Sequence, residues 1–184
     1  MDKFLNVFKL IKSPKKMWGY IFSSSTSSRS LEQKLFYPLL GLLAVTSFFQ
    51  MVYDSSMTLS IGIIIAIIQF VSYYAAYVIS SLCISFFLPY TQEQGKTTSD
   101  GRIRVLVLYC MSIMVILDII QNFLPAEYIL LNIIPVYIIY LVLCCSSYFH
   151  VRKDKELLFV IAAFCMIVFV PIVLSVLLTK LMPQ

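Results

Sequence analysis

Hydrophobic positions run in five long blocks separated by short polar breaks, and within each block they are uniform rather than striped. Residues 35–53, 57–88, 103–123, 128–149 and 157–178 read as helices apolar on every side, close to or beyond the roughly 20 residues that span a bilayer at about 1.5 Å each. The pattern predicts an all-α fold, a polytopic transmembrane bundle of five spans. The middle block, entered from Arg102 and Arg104 and closed by Pro125, is the one around which the others are arranged. Asp118, within it, is the only formal charge placed inside a span. The second block would run roughly 48 Å as a helix, so it must tilt, bend or project. Within that block Ser72, Ala76 and Ser80 recur every four residues, a stripe of small side chains that lets a neighbouring helix approach. Pro135 and Pro171 fall inside the fourth and fifth blocks and predict kinks. Pro38 lies in the first turns of its span, where proline is tolerated.

The N-terminal residues 1–30 follow a different pattern and form a separate segment from the membrane domain, 31–184. Residues 2–12 put Phe4, Leu5, Phe8 and Ile11 on one side and Lys3, Lys9 and Lys12 on or beside the other. That is a cationic amphipathic helix expected to lie in the membrane interface. It is too short and too charged for a signal peptide. Ser13 and Pro14 read as an N-cap and first helical position, restarting a short helix in which Trp18 is an interfacial anchor type. Lys9, Lys12, Lys15, Lys16 and Trp18 are thus candidate contacts for lipid or a partner. The tract from Ser23 to Ser30 reads as a flexible tether, and Ser30 with Gln33 fits a capping box for the first span.

Composition closes off several function classes. Apolar residues make up 60% of the 184 positions and charged ones 12%, so five spans fill most of the chain and leave no room for a soluble catalytic domain. The net charge of +5 is not a nucleic-acid signal, because its distribution follows the spans. Thirteen of the 14 Lys and Arg residues precede the first span, fall in the breaks after the second and fourth, or, as Arg104 does, stand at the start of the third, leaving only Lys180 on the other side. By the positive-inside tendency the N-terminus is cytoplasmic and the C-terminus outside. The polar break at 89–101 reads as a mobile cytoplasmic segment. Cys83, Cys110, Cys144, Cys145 and Cys165 lie in apolar segments without ligand spacing and read as packing residues. No metal site, cofactor or catalytic motif is predicted.

An ionised carboxylate at the centre of a span costs about 2.5 to 3.5 kcal/mol on insertion scales, so Asp118 needs a partner or a water path. Asn132, in the span that follows, is expected at a similar depth. The expectation is a hydrogen bond from Asp118 to Asn132, supported by Gln121 or Tyr137, clipping the third and fourth spans together. The alternative is a transported-ion or proton site at the same residues.

The SPKKMW segment before a short helix, five spans, Tyr109 and Pro125 around the third span and the IPVYIIY run of the fourth together resemble the Yip family. These are five-span membrane proteins whose eukaryotic members interact with Rab GTPases and shape or sort Golgi and endoplasmic-reticulum membranes. The sequence looks like the prokaryotic branch, in which a short basic segment replaces the long cytosolic N-terminal region. It lacks the DLYGP-like and Gly-Tyr signatures of the eukaryotic members. The resemblance implies a five-span topology in a cell inner membrane and carries no catalytic residue onto this chain. Two functions remain from the residues themselves. One is a non-enzymatic, membrane-organising protein that binds anionic lipid headgroups and a membrane or cytoplasmic protein partner. The other is a small transporter or channel, enclosed by a homo-oligomer, using Asp118 and the kinked helices.

Overall fold

A computed structural model describes residues 2–24, 27–49, 58–124 and 134–181. The turns expected around Asp54 and Pro125, and Asn132, lie outside the described residues. All regular structure within them is helical, apart from a single bridge between Gln92 and Val151. In order the helices are α1 (Asp2–Lys12), α2 (Pro14–Ser23), α3 (Ser28–Leu31), α4 (Tyr37–Thr46), α5 (Leu59–Phe87), α6 (Asp100–Asn122), α7 (Tyr137–Ser146) and α8 (Glu156–Lys180).

The third apolar block becomes α6 and forms the axis of the bundle. Residues 105–115 are buried without interruption, around the whole circumference of the helix. Such burial needs neighbours on every side, and α1, α3, α4, α5, α7 and α8 supply them. The outer helices α5 and α8 instead turn apolar side chains outward. On α5, Ile63, Ile67, Val71, Tyr74, Val78, Leu82 and Phe86 are exposed at intervals of three or four residues, one continuous stripe. An exposed apolar band of this extent suits lipid rather than water.

α5 continues unbroken for 29 residues and ends in a 3-10 turn, Leu88–Tyr90, that contains Pro89. Its small-residue stripe is fully used. Ser72, Ala76 and Ser80 are all buried, α5 packs extensively on α8, and the Ser80 hydroxyl donates to the Met166 carbonyl at 2.6 Å. Met166 lies one residue before Ile167, whose carbonyl loses its usual helical donor because Pro171 has no N–H. Replacing Ala76 with leucine is therefore expected to wedge α5 from α8 and destabilise the protein by about 1–3 kcal/mol, read by denaturant titration in detergent.

Pro38 is accommodated by a change of helix type. Residues Glu32–Phe36 form a π turn, and the Tyr37 N–H donates to the Glu32 carbonyl five residues back. A proline ring meets the carbonyl four residues before it, and widening the turn ahead of Pro38 relieves that contact.

The N-terminal segment departs from expectation. α1 and α2 do form where the pattern predicts them, with Pro14 at the start of α2. They pack together as a hairpin laid against α6 and α7. At the open end Phe22 meets Tyr148 and Phe149, and Lys3 Nζ donates to the Ser30 hydroxyl at 2.8 Å. Burial, then the nearby Lys34, hold the Lys3 ammonium pKa below its ordinary value. At the tip the Tyr137 hydroxyl donates to the Ile11 carbonyl at 2.8 Å, satisfying an orphan group in the last turn of α1. Tyr137 lies roughly 18 Å along α7 from Phe149, so the hairpin reaches about halfway up the bundle.

Trp18 is correspondingly not an interfacial anchor. It is fully buried, its indole N–H donates to the Leu141 carbonyl at 3.0 Å, and Tyr109 meets its ring edge-on at 6.0 Å. The inward face of α1 is Val7 and Leu10, whereas Leu5, Phe8 and Ile11 are exposed. The expected tether is also shorter than its composition suggests. α2 runs through Ser23, and α3 starts at Ser28 with Ser27 as its N-cap residue. Ser30 lies inside α3 and accepts from Lys3, so it does not form the capping box.

The break at 89–101 is tied down rather than free. The Glu93 N–H donates to the His150 carbonyl at 3.0 Å and the Arg152 N–H to the Thr91 carbonyl at 2.9 Å. Gln92 Nε2 reaches the Phe149 carbonyl and Lys155 Nζ the Tyr90 carbonyl, both at 2.9 Å. Gly95 and His150 take the left-handed backbone that these tight turns require. The loop after α5 and the loop before α8 therefore share one end of the bundle.

Candidate functional site

Asp118 lines a cavity of about 700 Å³ between α5, α6, the turn before α7, and α8. α5 contributes Gln69, Ser72 and Tyr73, which at spacings of three and four share one helical face. α6 contributes Asp118 and Gln121, a further i, i+3 pair. Pro171, inside α8, and Pro135, which lies in the 3-10 turn Ile134–Val136 before α7 and so does not kink a helix interior, both border the same space.

The partner of Asp118 is Tyr73, whose hydroxyl donates to the Asp118 carboxylate at 2.6 Å. This is an interhelical clip between α5 and α6; the bond expected to Asn132 falls outside the described residues. Gln121 shares the cavity with Asp118. Tyr137 does not, because its hydroxyl is committed to the Ile11 carbonyl on the hairpin. Two further polar atoms face burial without a partner among the described residues, Gln69 Oε1 and Ser72 Oγ. An unpaired buried polar atom costs about 1–3 kcal/mol, and a site that accepts water or a polar solute removes that cost. Ser72 thus faces both the helix contact and the cavity. Gln69 and Tyr73 escape a reading based on charge alone; their signal is two polar side chains one turn apart in a charge-free helix.

The second feature is the hairpin. Lys9, Lys12, Lys15 and Lys16 cluster near its tip, all exposed. None of them forms an ion pair among the described residues. Between α1 and α2 lies a groove of about 500 Å³ lined by Asn6, Lys9, Ser13 and Lys16. Trp18 sits on the opposite, inward side of α2.

The cysteines build no site. Cys110, Cys144 and Cys145 are buried, Cys83 and Cys165 partly so, and all are free thiols. Among the described residues no group of His, Cys, Asp and Glu could hold a metal ion.

Fold and site together define an all-helical protein with three helices, Leu59–Tyr90, Asp100–Asn122 and Lys153–Lys180, long and apolar enough to cross a membrane. A shorter apolar helix, Tyr137–Phe149, accompanies them. No family model, curated protein or solved structure matches the chain.

Proposed function

We propose that the chain is a non-enzymatic, Yip-like protein of a cell inner membrane, crossing it five times with a cytoplasmic N-terminus, and that it binds an acidic partner through its N-terminal hairpin. The tied loops support the topology, since Lys96, Arg102, Arg152, Lys153 and Lys155 gather at the end of the bundle where α3 also begins. The observation that carries the partner-binding role is the height of the lysine cluster. A lysine at mid-span costs about 2.5–3.5 kcal/mol on insertion scales, so four of them facing hydrocarbon would cost about 10–14 kcal/mol. That face therefore meets anionic groups, either acidic side chains of a neighbouring protein or lipid headgroups drawn inward. A second copy in a two-fold arrangement would set lysine against lysine, which disfavours a symmetric dimer there.

A photo-cross-linking residue at Phe8 or Tyr20, used in native membranes, tests this reading. Adducts are expected to a protein partner or an acidic lipid, and their yield is expected to fall when Lys12, Lys15 and Lys16 are all changed to glutamine. Adduct yield that ignores the lysines would overturn it.

The cavity at Asp118 favours a second reading, a small transporter. Uptake or conductance in reconstituted liposomes, abolished by Asp118→Ala in a protein that remains folded, would establish transport in place of partner binding.

A further inference from the structure

We propose a second, separate site: the groove between the π turn, α5 and the first turns of α6 binds the headgroup of an aminophospholipid, a phosphate ester carrying a primary ammonium. It rests on the reading that the bundle sits in lipid with its loop end at a headgroup layer.

The groove encloses about 440 Å³ and holds both charge signs. Glu32 enters from the π turn, and its carboxylate accepts a hydrogen bond from the Tyr77 hydroxyl, which fixes it at the groove wall. Asp100 and Arg104 stand four residues apart at the start of α6, and neither is in an ion pair among the described residues. Ser81 is 7% exposed, lines the groove, and its hydroxyl has no partner among the described residues. Tyr37 and Tyr74 stand at the groove with rings 6.2 Å apart.

These groups divide by chemistry into two halves. The Arg104 guanidinium suits a phosphate, which it meets with paired N–H donors, and the unpartnered Ser81 hydroxyl supplies a further donor to an ester or phosphate oxygen. Glu32 and Asp100 suit an ammonium, and tyrosine faces attract cations. Two carboxylates against one guanidinium disfavour a ligand that is anionic only.

Depth and surroundings point to a lipid rather than a free solute. Asp100 and Arg104 lie in the first turns of α6, at the end of the bundle that carries the loops. Val78, Leu82 and Phe86 on α5 line the groove and are 38%, 50% and 76% exposed, an apolar track along which acyl chains can lie. A headgroup seated between Arg104 and Glu32 would place its chains against that track.

The test is native mass spectrometry of the full chain in detergent, titrated with phosphatidylethanolamine, with phosphatidylglycerol of the same acyl chains, and with soluble phosphoethanolamine. Phosphatidylethanolamine is expected to bind about tenfold more tightly than phosphatidylglycerol, and Arg104→Gln to weaken it by about tenfold. Asp100→Asn is expected to bring the two lipids toward equal affinity. Arg104 and Asp100 are both exposed, so neither change disturbs the core, whereas Glu32→Gln would also alter the buried Tyr77 pair. Equal binding of the two lipids by the unaltered chain, or no effect of Arg104→Gln, would overturn the site. Soluble phosphoethanolamine binding as tightly as the lipid would overturn its assignment to lipid. Loss of hairpin cross-links with lipid selectivity intact removes the partner-binding role alone, and the converse removes this site alone.

Discussion

Trp18→Ala is expected to destabilise the purified protein by about 3–5 kcal/mol, the range for deleting a large buried aromatic side chain. The indole fills the seam between the hairpin and the bundle, where it touches Tyr109, stacks on Phe22 and donates to the Leu141 carbonyl. Its removal leaves a cavity where α2 meets α6 and α7. Trp18→Phe keeps most of the packing and loses the hydrogen bond, so its expected cost is about 1 kcal/mol beyond the lost volume. Denaturant titration in detergent micelles measures both. A loss below about 1 kcal/mol for the alanine variant would mean that Trp18 faces lipid and the hairpin is not seated.

The second large effect is expected at the clip between α5 and α6. Tyr73→Phe removes the donor that Asp118 uses while leaving the carboxylate buried at the cavity wall, at an expected cost of about 1–3 kcal/mol. Asp118→Asn keeps an acceptor for the tyrosine hydroxyl, so its cost is expected to be smaller. Combining Tyr73→Phe with Asp118→Leu removes both ends of the bond, and the double variant is expected to lose less than the sum of the two single ones. Coupling of about 0.5–3 kcal/mol in that cycle marks a direct interaction. Strict additivity would mean that the pair does not interact in the folded protein.

The parts of this fold that the sequence makes legible are those set by one helix and its solvent. A long apolar run, interrupted only by Asp118 and with arginines at its entrance, specifies α6, and the 3.6-residue period turns Ser72, Ala76 and Ser80 into one buried stripe. Pro14 marks the start of α2 because its ring fixes the local backbone and its missing N–H is not needed there. What escapes is whatever depends on which surface covers which. The same amphipathic pattern in α1 serves a helix lying on lipid or one lying on other helices. Only the packed bundle decides that Val7 and Leu10 turn inward while Phe8 turns out.

Asp118 illustrates the same limit. Its need for a partner follows from the cost of a buried charge, yet the partner found among the described residues comes from 45 residues earlier, on a helix whose rotation the sequence does not reveal. The presence of Gln121 in the same cavity was accessible from its i, i+3 spacing. Tyr137 was not, because its hydroxyl answers an unsatisfied carbonyl at the hairpin tip, a group that exists only once the hairpin has docked. The loop at 89–101 reads as polar and free, and its anchoring depends on backbone bonds to a second loop that composition does not encode.

Exposed positions for testing the odd number of crossings are Lys96, on the tied loops, and Leu181, beyond α8. The native thiols are buried or partly so and give little background. With cysteine introduced at each position in turn, a membrane-impermeant maleimide applied to intact cells is predicted to label Leu181→Cys at once and Lys96→Cys only after permeabilisation. Labelling of both from the same side of the membrane would contradict the account.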